Sequence, residues 1–114
     1  MKKQKLILLA WCCLIWNAFF SQTNLVPNYS FEEYTTCPNG QDQIQYATGW
    51  NKFSSSVSTP DYYNSCSSPF TYGIPYNSIG FQQEHKGCSA YTGLVTWGAS
   101  GNDREHIGIL LTQP

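Results

Sequence analysis

Charge is scarce in this chain. Asp, Glu, Lys and Arg make up 11% of its 114 residues, against roughly 25% in average soluble domains. Lys2, Lys3 and Lys5 crowd the amino terminus, so beyond residue 21 only Lys52, Lys86 and Arg104 oppose seven acidic residues, a net charge of −4. That balance leaves no basic patch and makes nucleic acid and anionic membrane surfaces poor partners. After residue 20 there is no long apolar run, which excludes a stable membrane span in the mature chain. No 11-residue window carries a capped helical stripe, so helix content is expected to be low. No internal repeat is visible. Gly-x-Ser-x-Gly, His-Glu-x-x-His and phosphate-loop patterns are missing, so no familiar enzyme signature is present.

What is present begins with an export signal. The basic start leads into Leu6 to Phe20, apolar except for Asn17. About 15 residues fit a signal-peptide core better than a span, which needs roughly 20. Cleavage is expected after Ser21, giving 1–21 as signal peptide and 22–114 as the amino-terminal part of a binding domain. An uncleaved anchor is the alternative; Leu9-Ala10-Trp11-Cys12 is a poor lipid-attachment box because Trp11 stands where a small residue is needed. The chain holds 18 aromatic side chains, enough to fill a core and to argue against disorder.

Cys37, Cys66 and Cys88 remain after the signal is removed. An exported chain meets an oxidising compartment, so a disulfide is expected. Three thiols allow three single pairings. The turn-rich settings of Cys37 and Cys66 favour that pair and leave Cys88, at the head of an expected strand, as the odd thiol. The wide spacing and the lack of a Cys-x-x-Cys pair disfavour a metal.

Short strands separated by turn signals predict an all-β sandwich. Asn28 to Tyr34 follows Pro27, with Phe31 as core anchor. Gln43 to Trp50 carries Ile44, Tyr46 and Trp50 at even spacing, with a bulge at Gly49. Asn51 to Pro75 reads mostly as loop. Ser78 to Gln83 centres on Ile79 and Phe81. Ser89 to Trp97 puts Tyr91, Val95 and Trp97 on one face. Arg104 to Thr112 does the same for Ile107, Ile109 and Leu111. Five such strands do not close two packed sheets, and the last would leave an apolar edge. The sandwich is therefore expected to be incomplete and the chain to be an amino-terminal fragment.

Several ordered pieces carry a family resemblance: Asn24-Leu-Val-Pro-Asn-Tyr-Ser-Phe-Glu-Glu-Tyr34, Cys37-Pro38, Ala47-Thr48-Gly49-Trp50, Thr59-Pro-Asp-Tyr-Tyr-Asn-Ser-Cys66, Gly80-Phe81-Gln82, Ala90-Tyr91-Thr92-Gly93, Arg104-Glu105 and Leu111-Thr112-Gln113-Pro114. Together they resemble the amino-terminal region of large surface proteins of gliding, polysaccharide-degrading bacteria. Such proteins often continue into a peptidoglycan-binding domain of the outer-membrane protein A type or a gliding-associated sorting domain, neither of which is seen here. The opening is also similar to jelly-roll carbohydrate-binding modules of galactose-binding-like fold. The resemblance implies a jelly roll, secretion to the bacterial cell surface in association with the outer membrane, and a binding role. Cys88 departs from the family pattern.

In such sugar binders a structural Ca²⁺ often ties the first strand to the last through a carboxylate just after Ser-Phe. Glu32 is the matching position, although calcium needs 6–8 oxygens; no other cofactor is implied. Sugars offer apolar C–H faces and hydroxyl rims, which suit flat rings beside polar side chains. Tyr62 and Tyr63, in an expected loop beside Asp61 and Asn64, form the best local cluster. Trp50 and Trp97 are further candidates, with core packing as the commoner role of strand tryptophans, and Tyr72 and Tyr76 complete the set. Asp103-Arg104-Glu105-His106 reads as a solvated strand start. Asp61 and Glu84 are the one separated carboxylate pair worth naming for glycoside hydrolysis. The expected function is an exported, non-catalytic adhesion module whose partner is a polysaccharide. The alternatives are a structural envelope module, spacing or contacting another cell-envelope component, and an accessory domain of a hydrolase.

Overall fold

The computed structural model describes residues 23–53, 58–82, 87–98 and 104–113; the expected signal, 1–21, lies outside them. Among the described residues there is no α-helix, and the fold is a small all-β one. Three antiparallel ribbons carry it. β1 (Asn51–Lys52) pairs with β6 (Ile107–Gly108), β2 (Asp61–Asn64) with β5 (Ala90–Gly93), and β3 (Tyr76–Asn77) with β4 (Gly80–Phe81). No helix among the described residues is long and apolar enough to cross a membrane.

The opening segment corrects the first strand expectation. Residues 27–30 form a turn, and Asn28 and Phe31 take left-handed backbone angles of φ 45° and 60°. Asn tolerates that region better than most residues because its short amide can bond locally. Here its Nδ2 donates to the carbonyls of Glu33 (2.8 Å) and Thr48 (3.0 Å), and its Oδ1 accepts from Glu33 N–H (2.9 Å). One side chain thus fastens the turn to the segment 47–49. Tyr34 then makes a single antiparallel bridge to Ala47.

The second expectation also changes. Gln43 to Trp50 is not one strand but a 3₁₀ turn at Ile44–Tyr46 followed by β1. The even spacing of Ile44, Tyr46 and Trp50 masked an i, i+3 pair. Ile44 and Ala47 stack on one side of the turn, as 3₁₀ geometry requires, and both are fully buried. Gly49 serves a turn at φ 83° rather than a bulge. A Cβ there would lie 3.0 Å from Ile109 Cδ1, so any other residue is strained twice over.

The stretch read mostly as loop contains the most buried strand, β2. Its Tyr-Tyr pair suits a pleated, packed surface, and β5 supplies the partner in register Asp61↔Gly93, Tyr62↔Thr92, Tyr63↔Tyr91, Asn64↔Ala90. The expected strand around Ile79 and Phe81 is instead the turn and second arm of a hairpin. Asn77 Oδ1 accepts Ile79 N–H at 3.0 Å to close that turn, which leaves Ile79 and Phe81 exposed. β5 and β6 are shorter than expected; Ile107 and Ile109 are half-buried while Leu111 faces solvent.

The core is small and aromatic. Ile44, Ala47, Tyr62 and Ala90 form its centre, with Phe31, Tyr46, Trp50 and Ile107 packed around them. Phe31 stacks on Trp50 with centroids 4.5 Å apart, and the Trp50 Nε1–H reaches the Asn28 carbonyl at 2.9 Å. Phe31 is thus the anchor its sequence position suggests. A Cys37–Cys66 disulfide, Cα atoms 5.8 Å apart, ties the segment before the 3₁₀ turn to the end of β2; Cys88 is a free, half-buried thiol. Thr112 N–H donates to the Leu25 carbonyl at 2.9 Å, so the last described segment meets the first.

Candidate functional site

Alternation along β2 sends neighbouring side chains to opposite sides. Tyr62 turns to the core. Its hydroxyl donates to the Phe31 carbonyl at 2.7 Å and accepts from Asn64 Nδ2 at 2.7 Å. Burial pushes the Tyr62 hydroxyl up to about 12. Asp61 and Tyr63 turn the other way, with Tyr91 and Gly93 from β5, and line an open cleft of about 530 Å³. Tyr63 stacks between Tyr91 (5.1 Å) and Tyr72 (5.7 Å). Its ring lies over Gly93, where a Cβ would meet Tyr63 Cε2 at 3.0 Å; the glycine lets the ring lie close to the backbone.

The hairpin adds Asn77, Ile79 and the following Gln82 to the lining; Gln41, Thr59, Val95 and Glu105 lie there too. Asn77 donates an amide hydrogen to the Tyr91 hydroxyl, locking hairpin to ribbon. Asp61 Oδ1 accepts from Asp42 N–H at 3.1 Å, and its Oδ2 accepts from the Tyr63 hydroxyl at 3.3 Å. Burial raises the Asp61 carboxyl above its ordinary value, with the charges of Glu105 and Asp42 adding to the rise and those two hydrogen bonds opposing it. Burial, joined by the Asp61 charge, raises Tyr63 further still, so it stays a neutral hydroxyl donor. Glu105 is held at both oxygens: Oε1 accepts from Thr59 N–H at 2.7 Å and Oε2 from Val95 N–H at 2.8 Å.

The sequence candidates therefore separate. Asp61 and Tyr63 share the cleft; Tyr62 and Asn64 do not line it. The expectation of an exposed tyrosine loop is corrected: Tyr62 is 0% and Tyr63 1% exposed, because both belong to a paired strand. Trp50 packs against the core on Phe31. Trp97 is 76% exposed, with the Arg104 guanidinium 5.7 Å from its ring centroid, and does not line the cleft. Tyr76 stands outside the cleft in an exposed row with Phe70 (5.7 Å) and Phe81 (5.1 Å). Glu84, His85 and Asp103 lie outside the described residues. Sequence reasoning missed Tyr91, Ile79, Gln82 and above all Glu105. Its bond to Thr59 spans 46 positions, so no local spacing could announce it.

Glu32, the position the resemblance implies for calcium, is engaged within the protein through one oxygen. Its Oε1 accepts Ser89 N–H at 2.7 Å, and no group of three or more His, Cys, Asp or Glu side chains able to hold a metal occurs among the described residues. What the cleft does offer is a ring wall, amide groups and carboxylate acceptors around a space of small-ligand size. No family model, curated protein or solved structure matches the chain.

Proposed function

We propose that this chain is an exported, non-catalytic cell-surface module that binds glycans in the cleft between the β2–β5 ribbon and the β3–β4 hairpin. The observation that carries the reading is the cleft itself. Its volume of about 530 Å³ falls in the roughly 300–1,000 Å³ range of small-ligand sites. It sets the half-buried Tyr91, backed by the buried Tyr63 stacked on it, beside Asp61, Gln41 and Gln82, which is a ring for a C–H face and polar groups for hydroxyls. The amino-terminal signal pattern supports export, and the family resemblance supports a bacterial surface location, a role in adhesion or gliding and an eventual jelly-roll sandwich. The all-β ribbons are compatible with that architecture.

The test is retention of the purified protein on a panel of insoluble and soluble polysaccharides. At least one glycan is expected to bind. Ile79→Ala and Gln82→Ala, both at exposed positions, are each expected to weaken that binding roughly 3- to 10-fold, the loss of about 1 kcal/mol of contact. Trp97→Ala is expected to leave it unchanged. A protein that ignores every glycan, or one whose binding depends on Trp97 alone, contradicts the proposal.

A second reading, a structural envelope module, is favoured by the exposed row of Phe70, Tyr76 and Phe81. Three adjacent exposed rings suit a protein contact. In that case a Tyr76→Ser variant loses an envelope partner while glycan retention stays the same.

A further inference from the structure

Building on the glycan reading, we propose that the cleft selects its ligand by charge: it accepts an uncharged saccharide through neighbouring hydroxyls and rejects uronate and sulfated sugars. Among the described residues that line it there is no Lys, Arg or His, while Asp61 and Glu105 both do. Lys52 and Arg104, the Lys and Arg side chains among the described residues, are engaged elsewhere. Lys52 pairs with Asp42, and the Arg104 guanidinium lies over Trp97.

An ionised carboxylate is acceptor-only, with room for about two hydrogen bonds on each oxygen. Each Asp61 oxygen accepts one bond from within the protein, from Asp42 N–H or the Tyr63 hydroxyl. One acceptor direction per oxygen is left, which matches a pair of adjacent sugar hydroxyls. A ligand carboxylate in the same place brings no hydrogen to donate. It also loses hydration on entry and meets the negative charges of Asp61 and Glu105, with no Lys, Arg or His among the described lining residues to offset them.

The experiment compares three forms of one oligosaccharide that the protein retains: the neutral sugar, its uronate counterpart and its free-amine counterpart. Dissociation constants are measured by calorimetry at low salt and at 0.5 M salt. The uronate is expected to bind at least roughly tenfold more weakly than the neutral sugar, equivalent to about 1.4 kcal/mol, and the amine no more weakly. High salt screens the repulsion and is expected to narrow the neutral-to-uronate gap, a readout that needs no variant. Asp61→Asn is expected to narrow it as well. Neutral and uronate sugars binding equally, or a gap that ignores salt, overturns the charge selection while leaving glycan binding in place. Retention of no glycan on the panel overturns the glycan reading and this proposal with it.

Discussion

Asn28→Ala is expected to cost roughly 3–5 kcal/mol of folding stability. Its amide makes three hydrogen bonds to the backbone of Glu33 and Thr48, each worth about 1 kcal/mol net. Its backbone sits at φ 45°, where alanine is disfavoured by about 1–2 kcal/mol. The same turn presents the carbonyl that receives Trp50 Nε1–H, so loosening it also disturbs the Phe31–Trp50 stack. Asn28→Gly removes the amide but suits the angle, and is expected to be the milder change by about 1 kcal/mol. Urea unfolding followed by tryptophan fluorescence measures both. A loss below about 1 kcal/mol for the alanine variant means the turn is not held by this side chain.

Removing the disulfide is the second large effect. The bridge spans 29 positions, which in the chain-entropy model gives roughly 3–4 kcal/mol. Small domains have only about 5–15 kcal/mol in total. The core has four buried residues at its centre, so little else compensates. A Cys37→Ala, Cys66→Ala double variant is expected to show a lower urea midpoint by that energy divided by the m-value. Reductant is expected to lower the wild-type midpoint by a similar amount and to leave the double variant's midpoint unchanged. An unshifted midpoint would show that the loop 37–66 is already restricted in the unfolded chain.

Sequence was a fair guide where the governing interaction was local or chemically obligatory. Cys37 and Cys66 could be paired because both sit among turn residues behind what reads as an export signal. Phe31 could be named as an anchor, and Tyr91 placed on a strand. It was a poor guide where one side chain controlled the backbone. Asn28 looked like the start of a strand because its three bonds to backbone leave no periodic trace. Ile44, Tyr46 and Trp50 mimicked alternation, although the buried pair is Ile44 with Ala47. The cleft was half-visible through Asp61 and Tyr63. Its remaining parts come from segments far apart in the chain, joined by bonds such as Glu105 to Thr59 and Asn77 to Tyr91. Strands of two to four residues carry too little pattern to reveal such pairings.

The claim that matters most is that the cleft beside Tyr63 and Tyr91 is where a saccharide sits. Titrating ¹⁵N-labelled protein with a neutral oligosaccharide and following amide shifts tests it residue by residue. Saturable shifts are expected at Asp61, Tyr63, Asn77, Ile79, Gln82 and Tyr91, with the Trp97 indole signal unmoved. Shifts confined to Trp97 or to the row Phe70, Tyr76 and Phe81, or no saturable shift at millimolar sugar, would contradict the account.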